Sequence, residues 1–406
     1  MKFLVIAQDL RISGTSEGIV SRSFIGKLKR GYPNAIIDLH YFMPYSHDYN
    51  KELLPVNSIT EYLVDRKPSL GLKIINAIYR RVFTKSLYKT YVINQYAKPI
   101  SKINFEDYDI IFVRSSGLEY ETILGLKNLP ILSKSIINFH DPYPFFFDTS
   151  CQNPLTKKHL IDFYEMYGIV KKSFACITPS NLLSKDLQVI YGNQKKFYTI
   201  PHQYDNSVFD LTESSQVRKK QKPISISYHG GLHFGRNIDI LIDAYIDLIK
   251  TNNDLMQQTE LVLRLKSSEN KRVKEKCKAF ETIHVLDGLD FSNSANEQIN
   301  EADIVILLES TFEYSNILLG KAPFVASLGK PILALLPETC ELRDIIKNEN
   351  CIAKSNDKVD IKIKLKALIE KRMNSNEAVY PFRDYFTDEN FKKNLDEILF
   401  QKCLKH

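Results

Sequence analysis

Residues 224–245 read ISISYHGGLHFGRNIDILIDAY. The run ISISYH is short, apolar and closed by a polar residue, as expected of a strand buried on both faces of a parallel sheet. Gly230, Gly231, Gly235 and Arg236 follow, and then Ile238, Leu241, Ile242, Tyr245 and Ile249 recur at helical spacing, with Asn237 placed to cap the helix. Strand, glycine-containing loop and amphipathic helix make the repeating unit of a doubly wound α/β protein. The same kind of run recurs on both sides: KFLVIA, DIIFVR, SIINFH, CITPS and FYTIP before it, LVLRLK, IHVL, DIVILLE and PILALLP after it. Helical periods lie between them.

The polar, basic stretch SSQVRKKQKP (214–223), closed by a proline before a fresh strand, is the best linker candidate. It predicts two domains, 1–215 and 216–387, facing each other across a cleft, with functional residues just beyond strand ends. A length of 406 residues and 44% apolar content suit two globular cores. No run of 18 apolar residues occurs, so no spanning helix is expected. The N-terminal apolar run stops at Ala7, too short for a signal-peptide core, and reads as the first strand of a cytoplasmic protein. Six scattered cysteines without CxxC spacing argue against a zinc site or a disulfide framework and suit reduced thiols.

The net charge of +7 is uneven: residues 1–215 hold 26 Lys and Arg against 20 Asp and Glu, while the remainder is nearly balanced. Residues 66–105 contain nine basic residues and no acidic one, which suits an anionic surface and equally suits a solvated basic face. Within it, 70–96 reads as one helix with Ile75, Ile78, Tyr79 and Val82 on one side and Arg80, Arg81, Lys85 and Lys89 elsewhere. Such a helix can lie on an anionic membrane, which would make the protein peripheral on the inner face of the plasma membrane, or pack on the core. No recognition motif accompanies the basic segment, so nucleic acid is not an expected partner.

Four sites could carry chemistry. Gly14 and Thr15 lie in a small-residue turn between the first strand and a helix, a place where backbone can approach phosphate. The turn matches neither GxGxxG nor GxxxxGK[ST], so nicotinamide binding is poorly supported. His140 stands just past SIINF, where Pro142 and Pro144 prevent the strand from continuing. Gly230, Gly231 and Arg236 allow close approach of a ligand and add a permanent cation suited to a diphosphate. In DIVILLESTFEYSNILLGKAPFVASLGKPILALLPE (303–338), Glu309 and Glu313 could hold ribose or sugar hydroxyls and Lys321 could offset phosphate charge. No DxD-type pair occurs, so no obligatory metal and no separate cofactor are expected.

Taken together, SFACITPSNLLSKDLQVIYG, KKFYTIPHQYDNSVF, YHGGLHFGRNIDILIDAY, IHVLDGLDFSNSANEQINEADIVILL and FTDENFKKNLDEIL resemble segments of GT-B-fold glycosyltransferases, most of all glycosyltransferase family 4. The resemblance implies two Rossmann-like domains. The N-terminal one would bind the acceptor, the C-terminal one the nucleotide-sugar, and a helix at about 388–406 would pack back on the first. It also implies metal-independent transfer with retention at the anomeric carbon. The activity implied is transfer from a nucleoside diphosphate sugar to a lipid-linked or saccharide acceptor in cell-surface polysaccharide biosynthesis. His140 falls on the family's cleft histidine and Arg236 on its diphosphate-binding basic residue, so these two are the catalytic candidates. Gly14, Thr15, Gly230, Gly231, Glu309, Glu313 and Lys321 are the candidates for donor binding. Two departures stand out: Gly231 occupies the position of a second basic residue, and Asn316 and Phe324 stand where one register puts the family's paired glutamates. A catalytically silent GT-B protein and, less well supported, a nucleotide-sugar epimerase are the alternatives.

Overall fold

The computed structural model describes residues 1–117, 119–145 and 154–400. Contacts divide the chain into two compact units: Met1–Val208 with the segment from Thr387 onward, and Phe209–Phe386. Each is built on a parallel sheet.

The first sheet contains β1 (Lys2–Ala7), β2 (Ile36–Met43), β3 (Ser58–Leu63), β4 (Ile110–Arg114), β5 (Ser135–Asn138), β6 (Ala175–Thr178) and β7 (Phe197–Thr199). Their order is β3-β2-β1-β4-β5-β6-β7, all parallel. Chain order reverses between β1 and β4, which makes the crevice beyond their carboxyl ends the switch point where ligands bind in such sheets. The strands β1 and β4 are buried on both faces because helices cover the sheet; Phe3, Val5, Ile111 and Val113 are each 1% exposed or less. Two strands of this sheet were not among the expected apolar runs. The sequence of β2 is broken by Asp38 and His40, and β3 is an exposed edge strand in which no residue is buried.

The second sheet contains β8 (Ile224–Gly230), β9 (Thr259–Leu265), β10 (Ile283–Asp287), β11 (Ile304–Leu308), β13 (Ile332–Leu336) and β15 (Ile352–Lys354), with a separate pair, β12 (Tyr314–Ser315) and β14 (Thr339–Cys340). The order is β10-β9-β8-β11-β13-β15, and the switch falls between β8 and β11. The helix Ile238–Thr251 follows β8 as the periodicity predicts: Leu241, Ile242 and Tyr245 are fully buried, and Asn237 caps it by accepting a bond from the Asp239 N–H at 3.0 Å. Each such aliphatic or aromatic side chain contributes about 1.5–3 kcal/mol through removal from water.

Two expectations about connections are corrected. The stretch 214–223 is not a free linker. The Arg218 guanidinium makes paired bonds of 3.1 and 2.9 Å to Glu260, and Lys220 reaches Asp303 at 2.8 Å, so it is bound along the second unit. The helix expected over 70–96 is two helices, Leu70–Phe83 and Leu87–Ile100. Thr84 takes a left-handed φ of 60° at the end of the first, and the Ser86 hydroxyl caps the second.

The terminal helix Asp388–Phe400 packs on Ser16–Gly31 within the first unit. Asp388 pairs with Lys27 at 3.1 Å and Arg30 at 2.6 Å, and the Tyr32 hydroxyl donates to Asp396. Its expected extension to 406 lies outside the described residues. Among the described residues no helix is long and apolar enough to cross a membrane.

Candidate functional site

In the second unit, the loops after β8 and β11 meet at the switch point. The backbone of Arg236 bridges that of Ser310, and Gly235 accepts from the Thr311 N–H at 3.1 Å. Gly235 is required there: its φ is +74°, and a Cβ would collide with the Phe312 ring. Held by this seam, the Arg236 guanidinium reaches the Gly231 carbonyl at 3.4 Å. Lys321, partly buried, donates to the His229 carbonyl at 3.0 Å and lies 4.1 Å over the Tyr228 ring, while the Tyr228 hydroxyl donates to the Gly231 carbonyl at 3.0 Å. Burial, and then the nearby Arg236 charge, push the Lys321 ammonium well below its ordinary range. Among the described residues neither Arg236 nor Lys321 has an acidic ion-pair partner.

Glu309 is 1% exposed. One oxygen accepts from the Ser315 hydroxyl at 3.0 Å; the other has no hydrogen-bond partner among the described residues. Burial pushes its carboxyl up to about 7, so at and below neutral pH much of it is protonated and offsets little of the Arg236 charge. Glu313, by contrast, is exposed and lines a separate cavity of about 80 Å³ with Glu338 and Lys354. The structure therefore groups Gly230, Gly231, Arg236, Glu309 and Lys321, and sets Glu313 apart.

Beneath this loop lies a charge network that sequence reading missed. The Arg264 guanidinium donates to both oxygens of buried Glu297 at 2.8 and 2.6 Å, and the Arg218 N–H adds a third bond at 2.8 Å. His229 Nε2 lies 3.4 Å from Glu297, and its Nδ1 is 2.8 Å from the Ser294 hydroxyl. Burial alone would raise the Glu297 carboxyl, but its contacts with His229 and Arg264 bring it down to about 2. The network fixes His229, whose carbonyl holds Lys321.

In the first unit, His140 lies beyond the end of β5, 3% exposed, with its ring stacked on His202 at 4.7 Å. Its Nε2 has no hydrogen-bond partner among the described residues. Burial, with further contributions from His202 and Arg114, holds the imidazole neutral by pushing it well below its ordinary range. Arg114 is itself buried and pushed down to about 9 by that burial. Arg114 is not marked by the sequence, and His202 stands out there only as part of the turn after FYTIP; nothing local marks either as a neighbour of His140.

The turn with Gly14 and Thr15 serves its helix instead. Thr15 is the N-cap, accepting from the Gly18 N–H and donating to Asp9 at 2.9 Å. The buried Asp9 is in turn ion-paired with Arg11 at 2.5 Å, and the partly buried Glu17 lies in the first turn of the same helix. Lys89, expected on a membrane face, is bound to Asp162 at 2.6 Å.

No protein-family model and no curated protein matches this sequence. Solved structures do. A mutant of S. aureus TarM in complex with Fondaparinux, alpha-GlcNAc-glycerol and UDP aligns with a TM-score of 0.65 at 10% identity, over 98% of this chain and 99% of that one. The chain has the GT-B fold. Two further GT-B structures align over nearly their whole length. The lipopolysaccharide outer core galactosyltransferase WaaB has a TM-score of 0.59 at 13% identity, covering 99% of this chain and 100% of that one. A UDP-GlcNAc 2-epimerase from Neisseria meningitidis bound to UDP-GlcNAc has a TM-score of 0.55 at 12% identity, covering 99% and 100%. The GT-B fold is thus shared here with both nucleotide-sugar glycosyltransferases and UDP-GlcNAc epimerases.

The buried histidines of this GT-B protein make acid stability a test of its site geometry. His140 and His229 are both depressed by burial. In the unfolded chain each takes up a proton near 6.5, whereas the folded form resists it. Their contribution to stability is therefore complete above about pH 6.5 and is lost as pH falls below it. Denaturant unfolding between pH 7.5 and 5 should show stability dropping on the acid side, with a shallower drop in His140→Leu. Equal slopes in the two proteins would contradict a buried neutral His140.

Proposed function

We propose that this chain is a metal-independent glycosyltransferase that moves a sugar from a nucleoside diphosphate sugar to a lipid-linked or saccharide acceptor, in the assembly of a cell-surface polysaccharide. The observation that carries this reading is the pair Arg236 and Lys321 beside Gly230 and Gly231 at the switch point of the second sheet. The Arg236 cation and the Lys321 amine, neither with an acidic ion-pair partner among the described residues, flank a loop with two adjacent glycines and offer a seat for an anion.

In the transfer, the bond between the anomeric carbon and the diphosphate oxygen breaks while a bond to an acceptor oxygen forms, and negative charge grows on the departing diphosphate. Arg236 is placed to neutralise that charge. Lys321, shifted toward its neutral form by burial and by the Arg236 charge, would be recharged by a bound diphosphate. Glu309, buried beside the Ser315 hydroxyl and the Cys340 thiol and protonated in part near neutral pH, suits a hydroxyl of the donor. His140, neutral and with an Nε2 that has no partner among the described residues, can donate or accept a hydrogen bond to a sugar hydroxyl without adding a charge. Retention at the anomeric carbon is the stereochemistry that the family resemblance supports.

One observation favours a second reading. Phe324 is buried and packs edge-on against Phe291 at 5.8 Å, and Asn316 is buried as well. Where the resembled family has its paired acids, this chain places a core side chain and an amide. A catalytically silent GT-B binding protein, or an epimerase, is consistent with that loss. Incubation with a panel of nucleoside diphosphate sugars and a lipid-linked oligosaccharide pool separates the readings. Transfer releases the nucleoside diphosphate only when acceptor is present, epimerisation interconverts the sugar without acceptor, and a silent protein leaves every donor intact.

A further inference from the structure

The helix Leu70–Phe83 buries none of its residues. Leu70, Ile74, Ile78 and Val82, one row at a spacing of four, are 59% to 73% exposed, and Ile75 beside them is 57% exposed. An apolar stripe of this length left in water on an otherwise well-packed unit is a binding surface. The helix meets the protein through Leu72, Asn76 and Tyr79; the Asn76 side chain accepts from the Ser86 hydroxyl at 3.3 Å and from the Tyr88 N–H at 3.2 Å. The stripe points the other way. Lys73 and Arg80 flank it on one side and Arg81 sits at its margin, all exposed.

Beside the helix is a cavity of about 590 Å³ whose lining includes Arg80, Lys85, Lys89, Lys127 and Lys158. Lys89 and Lys158 face Asp162, and Lys127 pairs with Glu165 at 3.3 Å. Arg80 and Lys85 have no acidic partner among the described residues.

We propose that the helix Leu70–Phe83 lies in the surface of an anionic lipid bilayer, its Leu70, Ile74, Ile78 and Val82 row among the acyl chains and Lys73, Arg80, Arg81 and Lys85 against lipid phosphates. A helix of 14 residues with an exposed apolar row flanked by basic side chains is suited to the interface and too short to span. Charge decides between a membrane and a second copy of the chain. Lys73, Arg80, Arg81 and Lys85 are exposed beside the stripe and have no acidic partner among the described residues, so two copies joined through this face would oppose like charges, whereas anionic headgroups complement them. The inference does not depend on the donor site, which belongs to the other unit, so vesicle binding and nucleotide binding can fail separately.

The test is flotation of the full chain with vesicles of phosphatidylcholine alone and of phosphatidylcholine mixed with phosphatidylglycerol. The protein should float with the mixed vesicles and much less with the neutral ones. Ile74→Asp with Ile78→Asp, and separately Arg80→Glu with Arg81→Glu, should each lower the bound fraction at least about tenfold. All four side chains are exposed, so the variants should melt as the wild type does. Failure to float with either vesicle, or flotation indifferent to the variants, would overturn the proposal. A wild-type dimer in light scattering that Ile78→Asp converts to a monomer would also overturn it, by assigning the stripe to a second copy.

Discussion

Arg236→Ala is expected to lower sugar-transfer turnover by about 10²–10³-fold while leaving the melting temperature almost unchanged. The size follows from where charge develops. A diphosphate leaves with more negative charge than it carries in the bound donor, and a donor group already fixed in place stabilises that charge without reorganising. Arg236 is fixed in this way: its backbone is bridged to Ser310, its guanidinium is 3.4 Å from the Gly231 carbonyl, and the helix behind it is capped by Asn237. Where the resembled family has a second basic residue this chain has Gly231, so the load on Arg236 is greater. Stability should not follow turnover, because the guanidinium has no ion pair among the described residues to lose. Arg236→Lys should recover part of the rate, since it restores charge without the planar fork. Turnover is read as nucleoside diphosphate released per minute in the presence of acceptor.

Glu297→Ala should have the largest effect on stability, about 3–5 kcal/mol. Removing the carboxylate leaves Arg264, 8% exposed, as a buried cation without its counter-ion, and also strips a bond from the Arg218 N–H. The melting temperature of the second unit should fall by roughly 10 °C. Because the same carboxylate faces His229, whose carbonyl holds Lys321, nucleotide affinity should weaken in the variant even at temperatures where it is folded. Glu297→Gln should lose less, since its amide oxygen still accepts from Arg264. Calorimetric unfolding of the three proteins measures both differences. A change below about 1 kcal/mol would mean that Arg264 finds water or another acceptor.

What could be read from the chain alone follows the range of the interactions involved. The unit from β8 through Asn237 to the helix Ile238–Thr251 was legible because every determinant is local: an apolar run, three glycines, a capping side chain and a stripe at helical spacing. Arg236 was legible for the same reason. The break at Thr84 was not, because the apolar period continues across it with neither proline nor glycine to mark the left-handed residue. Lys89 seemed a surface cation because its partner, Asp162, lies 73 residues along. The supposed linker looked free because Arg218 is paired with Glu260, 42 residues away. Thr15 was read as a phosphate turn, and only the fold brings Asp9 and Ser116 together beside it, the Ser116 hydroxyl donating to Asp9 at 3.2 Å. The network of Glu297, Arg264 and His229 combines side chains from a helix and two strands, none of which is unusual by itself.

The most direct measurement is titration calorimetry of UDP, GDP and dTDP, and of CMP, against the wild-type chain and Arg236→Ala. A nucleoside diphosphate seat at the switch point between β8 and β11 predicts saturable binding of one of the three diphosphates, in preference to CMP, by the wild type and at least about tenfold weaker binding by the variant. Failure of the folded wild-type protein to bind any of them, or binding that Arg236→Ala leaves unchanged, would contradict it.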